Sequence, residues 1–119
     1  MFSIGTVMTL KPGGYAGYKK AHDEIWPELA KLISDAEISM SIYKHEDLLF
    51  IHAIAPSEDR WNSIGGQVTD KWYEWMTEFL VTGPDGKTIV TPLPEAFSFG
   101  IFSKSVSYTH LTLPTILLV

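Results

Sequence analysis

Apolar and polar residues alternate from Phe2 to Leu10, placing Phe2, Ile4, Thr6, Met8 and Leu10 on one face of a predicted strand that Lys11-Pro12-Gly13-Gly14 ends. From Tyr15 the period lengthens to that of a helix. Tyr18, His22, Ile25, Trp26 and Leu29 share one face at i, i+4 and i+7 spacing, and Lys19, Lys20, Asp23, Glu24 and Lys31 are assigned elsewhere. Pro27 has no N–H and crowds the carbonyl of Asp23, so the helix should kink or restart there, one turn beyond His22. Two strands follow, Ile38 to Tyr43 and Leu48 to Ala55, around the polar turn Lys44-His45-Glu46-Asp47. Ser57 is read as the N-cap of a short helix through Arg60, Trp61 and Ile64, stopped by Gly65-Gly66. Thr69 is read as the cap of the next, whose inner face carries Trp72, Trp75, Met76 and Phe79. A loop, Thr82-Gly83-Pro84-Asp85-Gly86, leads to a last strand near Glu95 to Phe102.

The order strand, helix, strand, strand, helix, strand is that of an α+β, ferredoxin-like split βαβ fold, an antiparallel four-stranded sheet with helices on one face. The other face would then be bare. Two such sheets are expected to pack face to face in a homodimer, a dimeric α+β barrel, leaving a pocket between helices and sheet in each subunit.

Composition narrows the function. A chain of 119 residues suits one domain, and a formal net charge of -5 offers no basic stripe for nucleic acid or an anionic membrane. The absence of cysteine removes disulfides and thiolate chemistry. The N-terminus lacks the features of a signal peptide and no apolar run has membrane-spanning length, so a soluble, cytoplasmic protein is expected. After Ser105 the composition shifts: no charged residue follows, and Val106 to Thr115 resembles one translated frame of a transposase-type sequencing adapter. Residues 1–104 are therefore read as the domain and 105–119 as a non-native tail, which sets Tyr108 and His110 aside.

Of the remaining histidines, His22, His45 and His52, none stands at metal-binding spacing from another histidine or a carboxylate, so neither a metal nor a cofactor is expected. With no phosphate-binding glycine loop and no nucleophile elbow, proton transfer is the chemistry left. His22, one turn from Tyr18 and one from Trp26, is an imidazole beside a phenol and an indole on an inward face. The same spacing also suits a histidine bonded to a backbone carbonyl in the core. His45 is read as a turn residue and His52 as a strand residue. Trp72 and Tyr73, on the rim of their helix's inner face, either pack in the core or form a flat wall for the C–H face of a sugar.

Taken together, YKKAHDEIWPEL (Tyr18 to Leu29), SIYKHEDLLFIHA (Ser41 to Ala53), SEDRWN (Ser57 to Asn62) and DKWYEWMTEFL (Asp70 to Leu80) resemble the L-rhamnose mutarotase family. The likeness runs from Phe2 to about Phe99, with a gap of roughly one residue before the second strand. Its most specific part is the helix motif of Tyr18, His22, Trp26 and Pro27. The resemblance implies an acid/base role for His22 and sugar binding by Tyr18. The family's paired tryptophans at the substrate fall on Trp72 and Tyr73, and a further binding tyrosine falls on Met40. The last two positions depart from the family, which bears on whether L-rhamnose or a related 6-deoxy sugar such as L-fucose is the substrate.

The resemblance implies α/β exchange of a monosaccharide by proton transfer alone, with His22 as proton donor to the ring oxygen. Two alternatives stay open: a non-catalytic sugar-binding or dimerisation module, and a cofactor-free monooxygenase or isomerase on the same fold.

Overall fold

A computed structural model describes residues 1–102; the proposed tail, with Tyr108 and His110, lies outside the described residues. The elements are β1 (Phe2–Thr9), α1 (Tyr15–Asp23), α2 (Pro27–Asp35), β2 (Ser39–His45), β3 (Leu48–Ala55), α3 (Glu58–Asn62), α4 (Gln67–Met76) and β4 (Thr91–Pro92), followed by a 3₁₀ turn at Gly100–Phe102. The strands form one antiparallel sheet in the order β2-β3-β1-β4. This is the α+β, ferredoxin-like arrangement expected from the element order.

Alternation along β3 separates the two faces of the sheet. Leu49, Ala53 and Ala55 are buried and Ile51 packs on the core, whereas Phe50 and His52 are exposed. Directly paired residues share a face, so Ile4, Thr6 and Met8 of β1 and Met40, Ile42 and Lys44 of β2 belong to the inner layer. Leu10, Tyr18, Leu29, Leu49, Trp72 and Leu80 are among the buried residues of the main core cluster. Gly17 seats the Phe79 ring, where any Cβ would collide with it, and so lets α1 approach the segment that follows α4.

The proline break falls where the sequence places it. Trp26, restricted to extended geometry by the proline after it (φ -58°, ψ 132°), stands at the N-cap of α2, and Pro27 takes the first helical position, where an N–H would have no intrahelical partner. Ser57 caps α3, its hydroxyl accepting from the Arg60 N–H at 3.2 Å.

Three boundaries differ from expectation. Glu46 adopts φ 55°, which tightens the hairpin to a two-residue turn and extends β2 to His45. Thr69 is not a cap: Gly66, at φ 151°, opens α4 three residues earlier, and the Thr69 hydroxyl donates to the Ile64 carbonyl at 2.5 Å. The last strand lies at Thr91–Pro92 rather than near Glu95 to Phe102. Pro92 and Pro94 have no N–H, so only a short ladder forms on the free edge of β1, prolonged by Leu93 N–H to Gly5 O at 2.9 Å.

Candidate functional site

Between α1, α2 and the inner side of β2 lies an open cleft of about 600 Å³, within the size range of small-molecule pockets. Helix α1 supplies Tyr15, Tyr18, Lys19, His22 and Asp23, and the sheet supplies Met40, Ile42, Lys44 and Leu49. The chain leaves α1 directly after Asp23, since Pro27 cannot continue the ladder, and this puts His22 in the last helical turn beside the opening.

His22 Nδ1 lies 2.8 Å from the Tyr18 carbonyl oxygen. A carbonyl only accepts, so Nδ1 carries the hydrogen and the neutral ring keeps its lone pair on Nε2. The imidazole is half-buried, and burial holds its pKa below the ordinary 6.5 against the opposing pull of the Tyr18 carbonyl and the Asp23 charge. At neutral pH the group is therefore an uncharged proton acceptor at Nε2, and becomes a donor once it has taken up a proton.

Aromatic rings fix it from two sides. The Tyr18 ring is tilted against the imidazole with centroids 4.1 Å apart, and Trp72 meets it edge-on at 5.1 Å. Behind them Trp26 packs edge-on against Trp72 at 5.1 Å and stacks on Trp75 at 5.6 Å. Tyr18 is only 4% exposed and burial pushes its phenol up to about 12. Its hydroxyl has no hydrogen-bond partner among the described residues, yet no sealed polar side-chain atom lacks one, so the hydroxyl is the part that reaches the cleft. It remains protonated and offers a hydrogen-bond donor there.

The residues singled out in the sequence thus separate. Tyr18, His22 and Met40 line the cleft. Trp72, 5% exposed, lies behind His22, and Tyr73, 58% exposed, lies outside the cleft lining. His45 and His52 are on the outer sheet face, the latter with Nε2 3.2 Å from the Ser3 hydroxyl. Lys19 and Asp23, which helical periodicity sets off the inward face, also line the cleft, as an ion pair. Only their i, i+4 spacing beside His22 could have signalled this. Among the described residues no three His, Cys, Asp or Glu side chains converge as a metal-ligand set.

Comparison with known proteins bears on what this arrangement does. A family model described as L-rhamnose mutarotase matches residues 3–99. The L-rhamnose mutarotase of Phocaeicola vulgatus is 36% identical over 94 residues, covering 76% of this chain and 90% of that protein. Its counterpart from Escherichia coli O157:H7 is 34% identical over 95 residues, covering 76% and 91%. A crystal structure of L-rhamnose mutarotase from Formosa agariphila superposes with a TM-score of 0.71 at 27% identity, covering 84% of this chain and all of that one.

Proposed function

Because the chain belongs to the L-rhamnose mutarotase family, whose members are isomerase-class enzymes, we propose that it interconverts the α and β anomers of L-rhamnose or a closely related 6-deoxyhexose, in the cytoplasm and without a cofactor, through acid/base catalysis by His22. The observation that carries this reading is the Nδ1–H bond to the Tyr18 carbonyl, which commits one ring nitrogen and leaves the other for exchange at a cleft of suitable size.

Ring opening requires the anomeric O–H bond and the C1–O5 bond to break while the ring oxygen gains a proton. Nε2 accepts the anomeric proton and the resulting imidazolium delivers it to the ring oxygen, leaving an open-chain aldehyde. Rotation about C1–C2 presents the other carbonyl face, and the reverse transfers reclose the ring. Tyr18 holds a sugar oxygen as a hydrogen-bond donor, since its raised pKa disqualifies it as a base at neutral pH. Met40 supplies apolar wall against the C–H face of the sugar. Trp72 acts through His22 as a positioning residue, and Tyr73 is assigned no contact with the sugar. Such proton transfer contributes roughly 10²–10⁴-fold to the rate.

The same reading includes a homodimer through the outer sheet face, where Tyr43 and Phe50 are exposed beside Val7 and Ile54. A monodisperse monomer at micromolar concentration in sedimentation would contradict that part. Saturation-transfer NMR on freshly dissolved L-rhamnose and L-fucose tests the activity. Catalytic amounts of protein are expected to accelerate anomer exchange for at least one of them. A folded protein that accelerates neither would overturn the proposal.

A further inference from the structure

The proton-transfer chemistry uses His22 and Tyr18 and leaves unused an ion pair on the same helix. Lys19 Nζ lies 2.7 and 2.8 Å from the two carboxylate oxygens of Asp23, so the ammonium straddles the carboxylate. Both side chains line the cleft, and both are more than half exposed, 56% and 58%. The α2 and β2 sides of the cleft are mainly apolar, with Ile33, Ile38, Met40 and Ile42, and carry Ser34 and Lys44 as their polar members.

A second pair of the same type supplies a contrast within the fold. Lys31 and Asp35 on α2 are also four residues apart and 2.7 Å in contact, but neither lines the cleft. Exposed pairs of this spacing contribute little to stability in either place. What distinguishes Lys19 and Asp23 is their position in the cleft lining, among mainly apolar residues of α2 and β2 and with His22 adjacent in sequence to Asp23.

A 6-deoxypyranose has matching chemistry: a hydroxyl-bearing edge, and C–H and methyl groups elsewhere on the ring. We infer that Lys19 and Asp23 form a hydroxyl clamp that sets sugar specificity, the Asp23 carboxylate accepting hydrogen bonds from vicinal ring hydroxyls and the Lys19 ammonium donating to a neighbouring oxygen. This inference rests on the mutarotase reading of the cleft. The two groups already hold each other, so the carboxylate is oriented before the sugar arrives and less rotamer freedom is lost on binding. Bonds from neutral hydroxyls to a charged group are stronger than those between neutral partners, and a ligand in the cleft excludes water from them. The clamp orients the ring and leaves proton transfer to His22, which makes Lys19 and Asp23 binding residues rather than acid or base.

The test measures L-rhamnose affinity by titration of tryptophan fluorescence, and KM and kcat by anomer-exchange NMR, with a melting temperature for each protein. Lys19→Met and Asp23→Asn are each expected to raise Kd and KM about tenfold, with a much smaller change in kcat. The exchanged pair Lys19→Asp/Asp23→Lys should keep the parent melting temperature and still lose the affinity, because the ion pair is restored with its donor and acceptor transposed. Lys31→Met and Asp35→Asn should leave Kd and KM where they were. Kd and KM within about twofold of the parent in both cleft variants, or recovery of affinity in the exchanged pair, would overturn the clamp. A parent that binds the sugar without exchanging its anomers would overturn the mutarotase reading instead, and Kd would still decide the clamp. A parent that neither binds nor exchanges any 6-deoxyhexose would overturn both.

Discussion

Helices α1 and α4 both carry groups next to the cleft, and they deploy them differently. On α1, Tyr18 and His22 stand four residues apart, one above the other, and both reach the cleft while the histidine bonds the backbone carbonyl of the tyrosine. On α4, Trp72 and Tyr73 are neighbours in sequence, and the turn between them sends Trp72 into the core against His22 and Tyr73 toward solvent. In the proposed mechanism the first helix presents the reacting groups and the second packs behind them. Spacing along a helix therefore decides which side chains reach the cleft and which pack behind them.

The contrast can be broken at its supporting end. Trp72→Ala removes a ring packed on His22, Trp26 and Trp75, and is expected to cost about 3–5 kcal/mol of stability in urea unfolding, with anomer exchange impaired in the fraction still folded. A loss under about 1 kcal/mol would mean that the ring does not carry the core. Tyr18→Phe deletes a hydroxyl that has no partner among the described residues, so melting should hardly change, while kcat/KM should fall roughly five- to tenfold, mostly through KM. An unchanged kcat/KM would remove the hydroxyl from the sugar site.

A smaller effect follows from the depressed pKa of His22. In the unfolded chain the imidazole titrates near 6.5, and in the fold at lower pH. Above 6.5 both states are uncharged and nothing is lost. As pH falls through that value toward the folded pKa, the unfolded chain takes up a proton that the folded one does not, so stability falls with acidification. Unfolding measured between pH 7.5 and 5 should show this slope reduced in His22→Asn; identical slopes would show that His22 is not desolvated. The smallest change is expected for Tyr73→Ala, with stability within about 0.5 kcal/mol and exchange within about twofold of the parent. A large loss of exchange with stability unchanged would instead give Tyr73 a role at the sugar.

How much of this was legible in the sequence depends on the range of the interaction involved. The helix break at Pro27, the cap at Ser57 and the order of the elements follow from local stereochemistry, and they match the fold. The inward placement of Tyr18 and His22 follows from helical period. The fourth strand did not follow, because alternation from Glu95 to Phe102 looks like a strand, and only the free edge of β1 decides where pairing can occur. Lys19 and Asp23 were hidden for a related reason. Their helix is amphipathic in the ordinary sense, and the polar flank becomes a cleft wall only when α2 and β2 close around it. Tyr73 was ambiguous because a rim position has no fixed side until the neighbouring layer is known.

If His22 moves the proton, anomer exchange must fail in His22→Asn. Asparagine keeps much of the size and hydrogen-bonding reach of the imidazole but cannot exchange a proton near neutral pH. Measured by saturation-transfer NMR on L-rhamnose beside a melting curve, the variant is expected to remain folded, to keep its sugar affinity, and to lose roughly 10²-fold or more in exchange rate. A folded His22→Asn protein that exchanges anomers at the parent rate would contradict this role for His22.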